Sequence, residues 1–119
     1  MITTRALPVL LPAHHRRAAQ PHINSERLCR PPAPYCKRVL AVLAPAGLYE
    51  HSGQWLYDIG LPGKSGVAGG IVTVSPGKGG LGTFSPPLDA AGNSVRGQHI
   101  TRYLSEALGL NLFASAPAA

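Results

Sequence analysis

Lys64-Ser65-Gly66-Val67-Ala68-Gly69-Gly70-Ile71-Val72-Thr73-Val74 is the stretch whose reading decides the fold of this chain. A run of Ile, Val and Thr bounded by glycines reads as a buried β-strand whose leading residues carry almost no side-chain bulk. Bare backbone at such a place can approach a ligand. A main-chain N–H aimed into a cleft there can hold the negative charge that develops on a carbonyl oxygen during acyl transfer. Glycines in a strand also mark a bulge or a close crossing of another backbone, so the surroundings must choose between the two readings.

Working outward, Gly69 to Ser75 predicts one strand and Leu81 to Ser85 another, joined by the turn Pro76-Gly77-Lys78-Gly79-Gly80. Upstream, Gln54 to Ile59 alternates around Trp55 and Tyr57 and predicts a further strand, entered through His51-Ser52-Gly53. Sequential short strands linked by tight turns pair antiparallel, which makes a three-stranded meander. Val39, Leu40, Val42 and Leu43 recur at helical spacing ahead of Pro45 and Gly47, predicting the last turns of a helix over 36–44. After the loop from Pro86 to Gly92, Asn93 or Ser94 is placed to cap a helix. Ile100, Tyr103, Leu104, Ala107 and Leu108 form its apolar stripe before Gly109, predicting a C-terminal helix packed on the sheet. The fold class is α/β of the α+β kind, with flanking helices. One and a half helices clothe one face of such a sheet and leave apolar surface open to a partner.

At 119 residues the chain is long enough for one small domain and too short for two cores. Residues 1–35 hold six of the 12 prolines, five of the 11 basic residues and a single acid, Glu26. With no sustained apolar period, that stretch is expected to be a disordered basic tail, with a domain over 36–113 and a flexible tail over 114–119. A net charge of +6 raises the question of nucleic acid. The basic cluster His14-His15-Arg16-Arg17 and the pair Arg27 and Arg30 lie in the tail with no recognition module around them, so a solvated tail is the better reading. Cys29 and Cys36 are too few for a disulfide scaffold or a zinc site, and reduced thiols in a cytoplasmic setting are expected. The apolar segment Ala6 to Ala13 is short and broken by two prolines, which argues against a secretion signal, and no run is long enough to span a bilayer. The histidines fit no metal spacing; His51 and His99 read as surface residues, and no metal or cofactor is implied.

Three motifs are misleading. Asp58 to Ser65 falls one residue short of a phosphate-binding P-loop, and a β-branched run follows where a helix is required. Gly77-Lys78-Gly79-Gly80-Leu81-Gly82 matches a dinucleotide fingerprint by letters, yet it precedes Thr83-Phe84-Ser85-Pro86-Pro87 and reads as a hairpin turn. Ser75-Pro76-Gly77-Lys78 has the Ser-x-x-Lys spacing of a nucleophile and its base, which works when the two lie one helical turn apart. Pro76-Gly77 forbids that helix.

Gly47-Leu48-Tyr49-Glu50, Gly53-Gln54-Trp55, Gly60-Leu61-Pro62-Gly63-Lys64-Ser65-Gly66-Val67, Phe84-Ser85-Pro86-Pro87-Leu88-Asp89 and Gly92-Asn93-Ser94-Val95 occur in an order and spacing that resembles the C-terminal part of the serine-dependent glutaminases, over about 36–113. The resemblance implies part of a β-lactamase/transpeptidase-like fold, with more than half of the family's catalytic domain having no counterpart here. It implies L-glutamine as substrate, hydrolysed to L-glutamate and ammonia. Lys64-Ser65-Gly66 looks like the family's Lys-Thr/Ser-Gly wall element, supplying positive field and hydrogen bonds. Val67 follows it, and the resemblance implies that its backbone N–H serves the oxyanion hole and substrate binding; on residues alone it reads equally as the first core residue of the strand. Tyr49 stands where the family has a catalytic tyrosine that bonds the nucleophilic serine and moves protons. Leu48 and Glu50 depart from the family's Met and Asp around it.

The nucleophilic serine, its lysine and the upstream substrate-gripping residues have no match. The expected polypeptide is therefore a glutaminase fragment without useful activity by itself, completed by the missing N-terminal part of the domain or by a second copy. The competing reading is a non-catalytic basic polypeptide that binds a polyanion or a protein through its tail. Salt-sensitive retention on nucleic acid, lost on removing residues 1–35, separates the two.

Overall fold

The computed structural model describes residues 33–114. Helix α1 spans Ala33–Ala46, and a 3-10 turn over Tyr49–His51 leads into α2, Ser52–Ile59. Strands β1 (Gly63–Ser65), β2 (Gly70–Ser75) and β3 (Gly79–Phe84) follow, then α3 over Val95–Ala107. The strands lie in the order β1-β2-β3 and are antiparallel, so the expected meander is present. Most of the tails expected over 1–35 and 114–119 lies outside the described residues; 33–35 belong to α1, and of the C-terminal tail only Ala114 is described. Pro34 sits in the first turn of that helix, where a missing N–H costs nothing.

One strand was misassigned by the alternation rule. Gln54 to Ile59 is helical, and the first strand of the meander is Gly63–Ser65. Ser52, Trp55 and Ile59 are its buried residues, at helical i, i+3 and i+7 spacing, whereas Tyr57, which the alternation would bury with Trp55, is 85% exposed. Gly60 closes α2 at φ 69°, donating its N–H to the Leu56 carbonyl at 2.9 Å. The Trp55 indole then donates to the Leu61 carbonyl at 2.8 Å, tying the helix to the segment that leads into β1. Leu48, Trp55, Ile59, Leu61 and Ile71 make the core, with Leu110 packed against it.

Helix α3 forms where expected, and Ser94 is its cap: the side chain accepts from the Gly97 N–H at 3.0 Å and donates to the Ser85 carbonyl at 2.7 Å. It packs on the sheet with an unexpected face. Gly97, Thr101 and Ser105 are buried, while Tyr103 and Leu108 of the apolar stripe are exposed. The small face wins because it allows close approach; a Cβ on Gly97 would stand 3.0 Å from the Thr83 hydroxyl. Its hydroxyls also satisfy themselves, Thr101 on the Gly97 carbonyl and Ser105 on the Ile59 carbonyl, each at 2.8 Å. The rejected stripe lines an apolar groove of about 500 Å³ along β3, between Leu81, Thr83, Ile100, Tyr103 and Leu104. No helix among the described residues is long and apolar enough to cross a membrane.

Candidate functional site

Tyr49 is presented by a junction with little freedom. The Gly47 N–H closes α1 on the Leu43 carbonyl at 2.9 Å, and its own carbonyl accepts the Ser65 N–H at 3.1 Å. A Cβ at residue 47 would fall 1.6 Å from the Gly63 carbonyl oxygen, so β1 can lie against this backbone only if residue 47 is glycine. Leu48 next to it is fully buried. Tyr49 then adopts φ 53°, the one positive φ on a non-glycine among the described residues. Bulky residues occupy that region at a cost and only when their surroundings hold them there. Here Ser52 does so from both sides: its hydroxyl accepts the Leu48 N–H at 2.9 Å and donates to the Tyr49 carbonyl at 2.7 Å.

Along β1 the side chains alternate. Lys64 faces out, and its ammonium stands 4.7 Å from the centroid of the Tyr49 ring, a favourable cation–π contact; it also donates to the Ser65 carbonyl. Ser65 faces in, buried, and its hydroxyl donates to Asn93 Oδ1 at 2.5 Å. The hydroxyl expected on the substrate side of the wall is thus turned beneath it. Gly66 opens the turn to β2, its N–H on the Gly70 carbonyl at 2.9 Å and its carbonyl accepting from Gly69 at 2.8 Å.

Val67 lies in this turn. Its side chain is 73% exposed, and among the described residues no backbone carbonyl takes its N–H. It is therefore not the first core residue of the strand. A Cβ built on Gly92 would stand 3.8 Å from Tyr49 Cε2 and 3.9 Å from Val67 Cγ1. The phenol ring, the Val67 turn and Gly92 thus converge on one open surface, with Lys64 over the ring. Ser65 belongs to the layer underneath.

The sequence reading passed over the residues that organise this surface. Asn93, expected as a helix cap and as one letter of the Gly92-Asn93-Ser94-Val95 motif, is fully buried: it accepts from Ser65 and donates through Nδ2 to the Leu48 carbonyl at 3.2 Å. Asp89 shapes the loop beside it, with Oδ1 accepting the Ala91 and Asn93 N–H groups at 3.0 and 2.9 Å and Oδ2 accepting from Gln98 at 2.9 Å. His51 Nδ1 lies 3.4 Å from the same oxygen. Burial pushes the Asp89 carboxyl up, but the bonds from Asn93, Gln98 and Ala91 and the charge of His51 outweigh it and hold the carboxyl below its ordinary value. The density of Asp, Asn and Ser in 89–94 was the available signal.

Chemically, the surface offers a phenol beside a cation and an unclaimed main-chain donor. It offers no nucleophile. The hydroxyls of Ser52, Ser65 and Ser94 are committed to the bonds above, and Ser75 is buried and donates to the Leu110 carbonyl at 3.0 Å. Lys78 donates to the Gly109 carbonyl, so the Ser75-x-x-Lys78 spacing is a coincidence of a hairpin. Among the described residues no cluster of His, Cys, Asp or Glu is placed to hold a metal.

The family model for glutaminase matches residues 13–113 of this sequence. The chain belongs to the glutaminase family. Glutaminase 2 of Yersinia pestis is 68% identical over 82 residues, 69% of this chain and 24% of that protein. The glutaminase of Colwellia psychrerythraea is 47% identical over 112 residues, 94% of this chain and 35% of that protein. Among solved structures, a Bacillus subtilis glutaminase in covalent complex with 5-oxo-L-norleucine superposes with a TM-score of 0.65 at 32% identity, covering 69% of this chain and 30% of that one. The architecture is accordingly part of a β-lactamase-like glutaminase fold, and the chain spans a quarter to about a third of the curated relatives' length. The family match starts at residue 13, upstream of the motifs that carried the resemblance.

Proposed function

We propose that this chain supplies one wall of a glutamine cleft, which hydrolyses L-glutamine to L-glutamate and ammonia once the remainder of a glutaminase domain is added. The convergence of Tyr49 and the Val67 turn around Gly92 supports this reading. In it, a serine hydroxyl from the added part attacks the carboxamide carbon. The Val67 N–H holds the resulting oxyanion, and Tyr49, with Lys64 beside it, relays the hydroxyl proton to the departing ammonia. Water then releases glutamate from the acyl-enzyme. Gly66 shapes the turn that carries the donor, and Ser65 acts from below. The outer edge of β3, which no strand among the described residues pairs with, and the apolar groove along α3 favour an added polypeptide as the completing partner over a second copy, which would bring no nucleophile of its own. Sparse cysteines fit a reducing, cytoplasmic setting.

The test is ammonia release from L-glutamine by the full chain alone and mixed with the remaining portion of Yersinia pestis glutaminase 2. The chain alone is silent, and the mixture turns over. In the mixture Tyr49→Phe lowers the rate about 100-fold or more. Val67→Pro, which removes the donor at the second position of the Gly66–Gly69 turn, where proline is favoured, does the same. Turnover by the chain alone that survives Ser75→Ala, or a mixture indifferent to Tyr49→Phe, overturns the proposal.

A further inference from the structure

Two unusual features of the fold meet at one side chain. The strained backbone of Tyr49, at φ 53°, follows Leu48, whose carbonyl oxygen accepts from Asn93 Nδ2. The same Asn93 takes the Ser65 hydroxyl on its Oδ1, while its own N–H is held by Asp89. Asn93 is fully buried, 45 residues from Leu48 and 28 from Ser65 in the chain. A buried carboxamide whose oxygen and nitrogen bond to two different segments carries a fixed orientation, because rotating it sets oxygen against the Leu48 carbonyl and strands that acceptor in a dry site.

We infer that Asn93 is a positioning residue: its side chain is a strut that holds Tyr49 in the left-handed conformation and ties the phenol to the Lys64-Ser65-Gly66 wall. The geometry fits no simpler helix-capping role, since Ser94 caps α3. Ser52 closes the local ring around Tyr49, yet it lies only three residues away and makes no link to β1. The bond from the Ser65 N–H to the Gly47 carbonyl ties the backbones together, and the side-chain link that reaches Leu48, next to Tyr49, runs through Asn93, which helps set the distance between ring and ammonium. A left-handed tyrosine without it relaxes toward negative φ, swinging the ring away from Lys64 and from Val67. The functional meaning of the strut rests on the glutaminase reading above; its existence is tested without glutamine.

The experiment uses the full 119-residue chain. Asn93→Asp keeps the acceptor for Ser65 and deletes the donor to Leu48. Amide exchange at residues 48–50 rises about tenfold, and the nuclear Overhauser contact between the Lys64 side chain and the Tyr49 ring is lost, while β2 and β3 amides keep their protection. Ser65→Ala removes the anchor on β1 and gives the same changes in smaller measure. Unchanged exchange and an intact Lys64–Tyr49 contact in Asn93→Asp overturn the strut. Should Asn93→Asp also unfold β2 and β3, Ser65→Ala decides, and an intact contact there overturns it. A strut that behaves as stated beside a mixture that does not hydrolyse glutamine sinks the proposed activity alone.

Discussion

The Tyr49 face and the α3 groove are built on opposite terms. Beneath Tyr49, four polar side chains, Ser52, Ser65, Asp89 and Asn93, bond to one another or to backbone and together join the Leu48–Tyr49 junction, β1 and the loop before α3. Along the groove, Ile100, Tyr103 and Leu104 present apolar surface that nothing in the described chain covers. A face organised from within is ready before its partner arrives. A face left bare depends on one. The difference teaches that the chain fixes the Tyr49 face with its own polar bonds while leaving the α3 groove uncovered among the described residues.

The comparison breaks most violently at Gly47. Gly47→Ala puts a methyl inside van der Waals range of the Gly63 carbonyl and costs about 4 kcal/mol or more, read by chemical denaturation. Survival with native stability shows that the junction is not fixed as described. Trp55→Ala opens the core under the site and strips the Leu61 carbonyl of its donor, for about 3–5 kcal/mol in the same assay.

A milder probe is Asp89→Asn, expected to cost about 1 kcal/mol at neutral pH because the loop loses a charged acceptor. Here the sign of the pH dependence follows from the depressed carboxyl. Its stabilisation is complete above the ordinary value of 3.8 and fades as the pH falls through the lower value in the folded chain. The stability gap between Asp89→Asn and the parent therefore closes in acid and stays flat from about pH 5 to 8. The smallest effect on stability comes from the groove. Tyr103→Ser changes the unfolding free energy by less than about 0.5 kcal/mol, yet weakens capture of the completing polypeptide about tenfold, as measured by titration. A groove substitution that destabilises the chain as much as Trp55→Ala erases the contrast.

How far the sequence could be read depended on the range of the forces at each place. The β2–β3 hairpin was legible because its β-branched run and glycine-rich turn act over neighbouring residues. The α2 segment was not, because six residues with Trp55, Tyr57 and Ile59 satisfy a strand or a helix equally, and the Gly60 cap and the reach of the Trp55 indole to Leu61 settle it. At the site, Tyr49 and Val67 were named through family motifs. Asn93 escaped as an organising residue because its partners lie far off in the chain, and the inward turn of Ser65 shows only in its bond to Asn93.

The sequence by itself determined the β2–β3 hairpin with its glycine-rich turn and the start of α3 at its capping serine, because these follow from local chemistry. Tertiary structure alone decided which face of α3 is buried, the backbone conformation of Tyr49 and the meeting of Tyr49 with Val67. Those depend on how closely two backbones can approach and on whether every buried polar group finds a partner, and both are properties of segments distant in the chain.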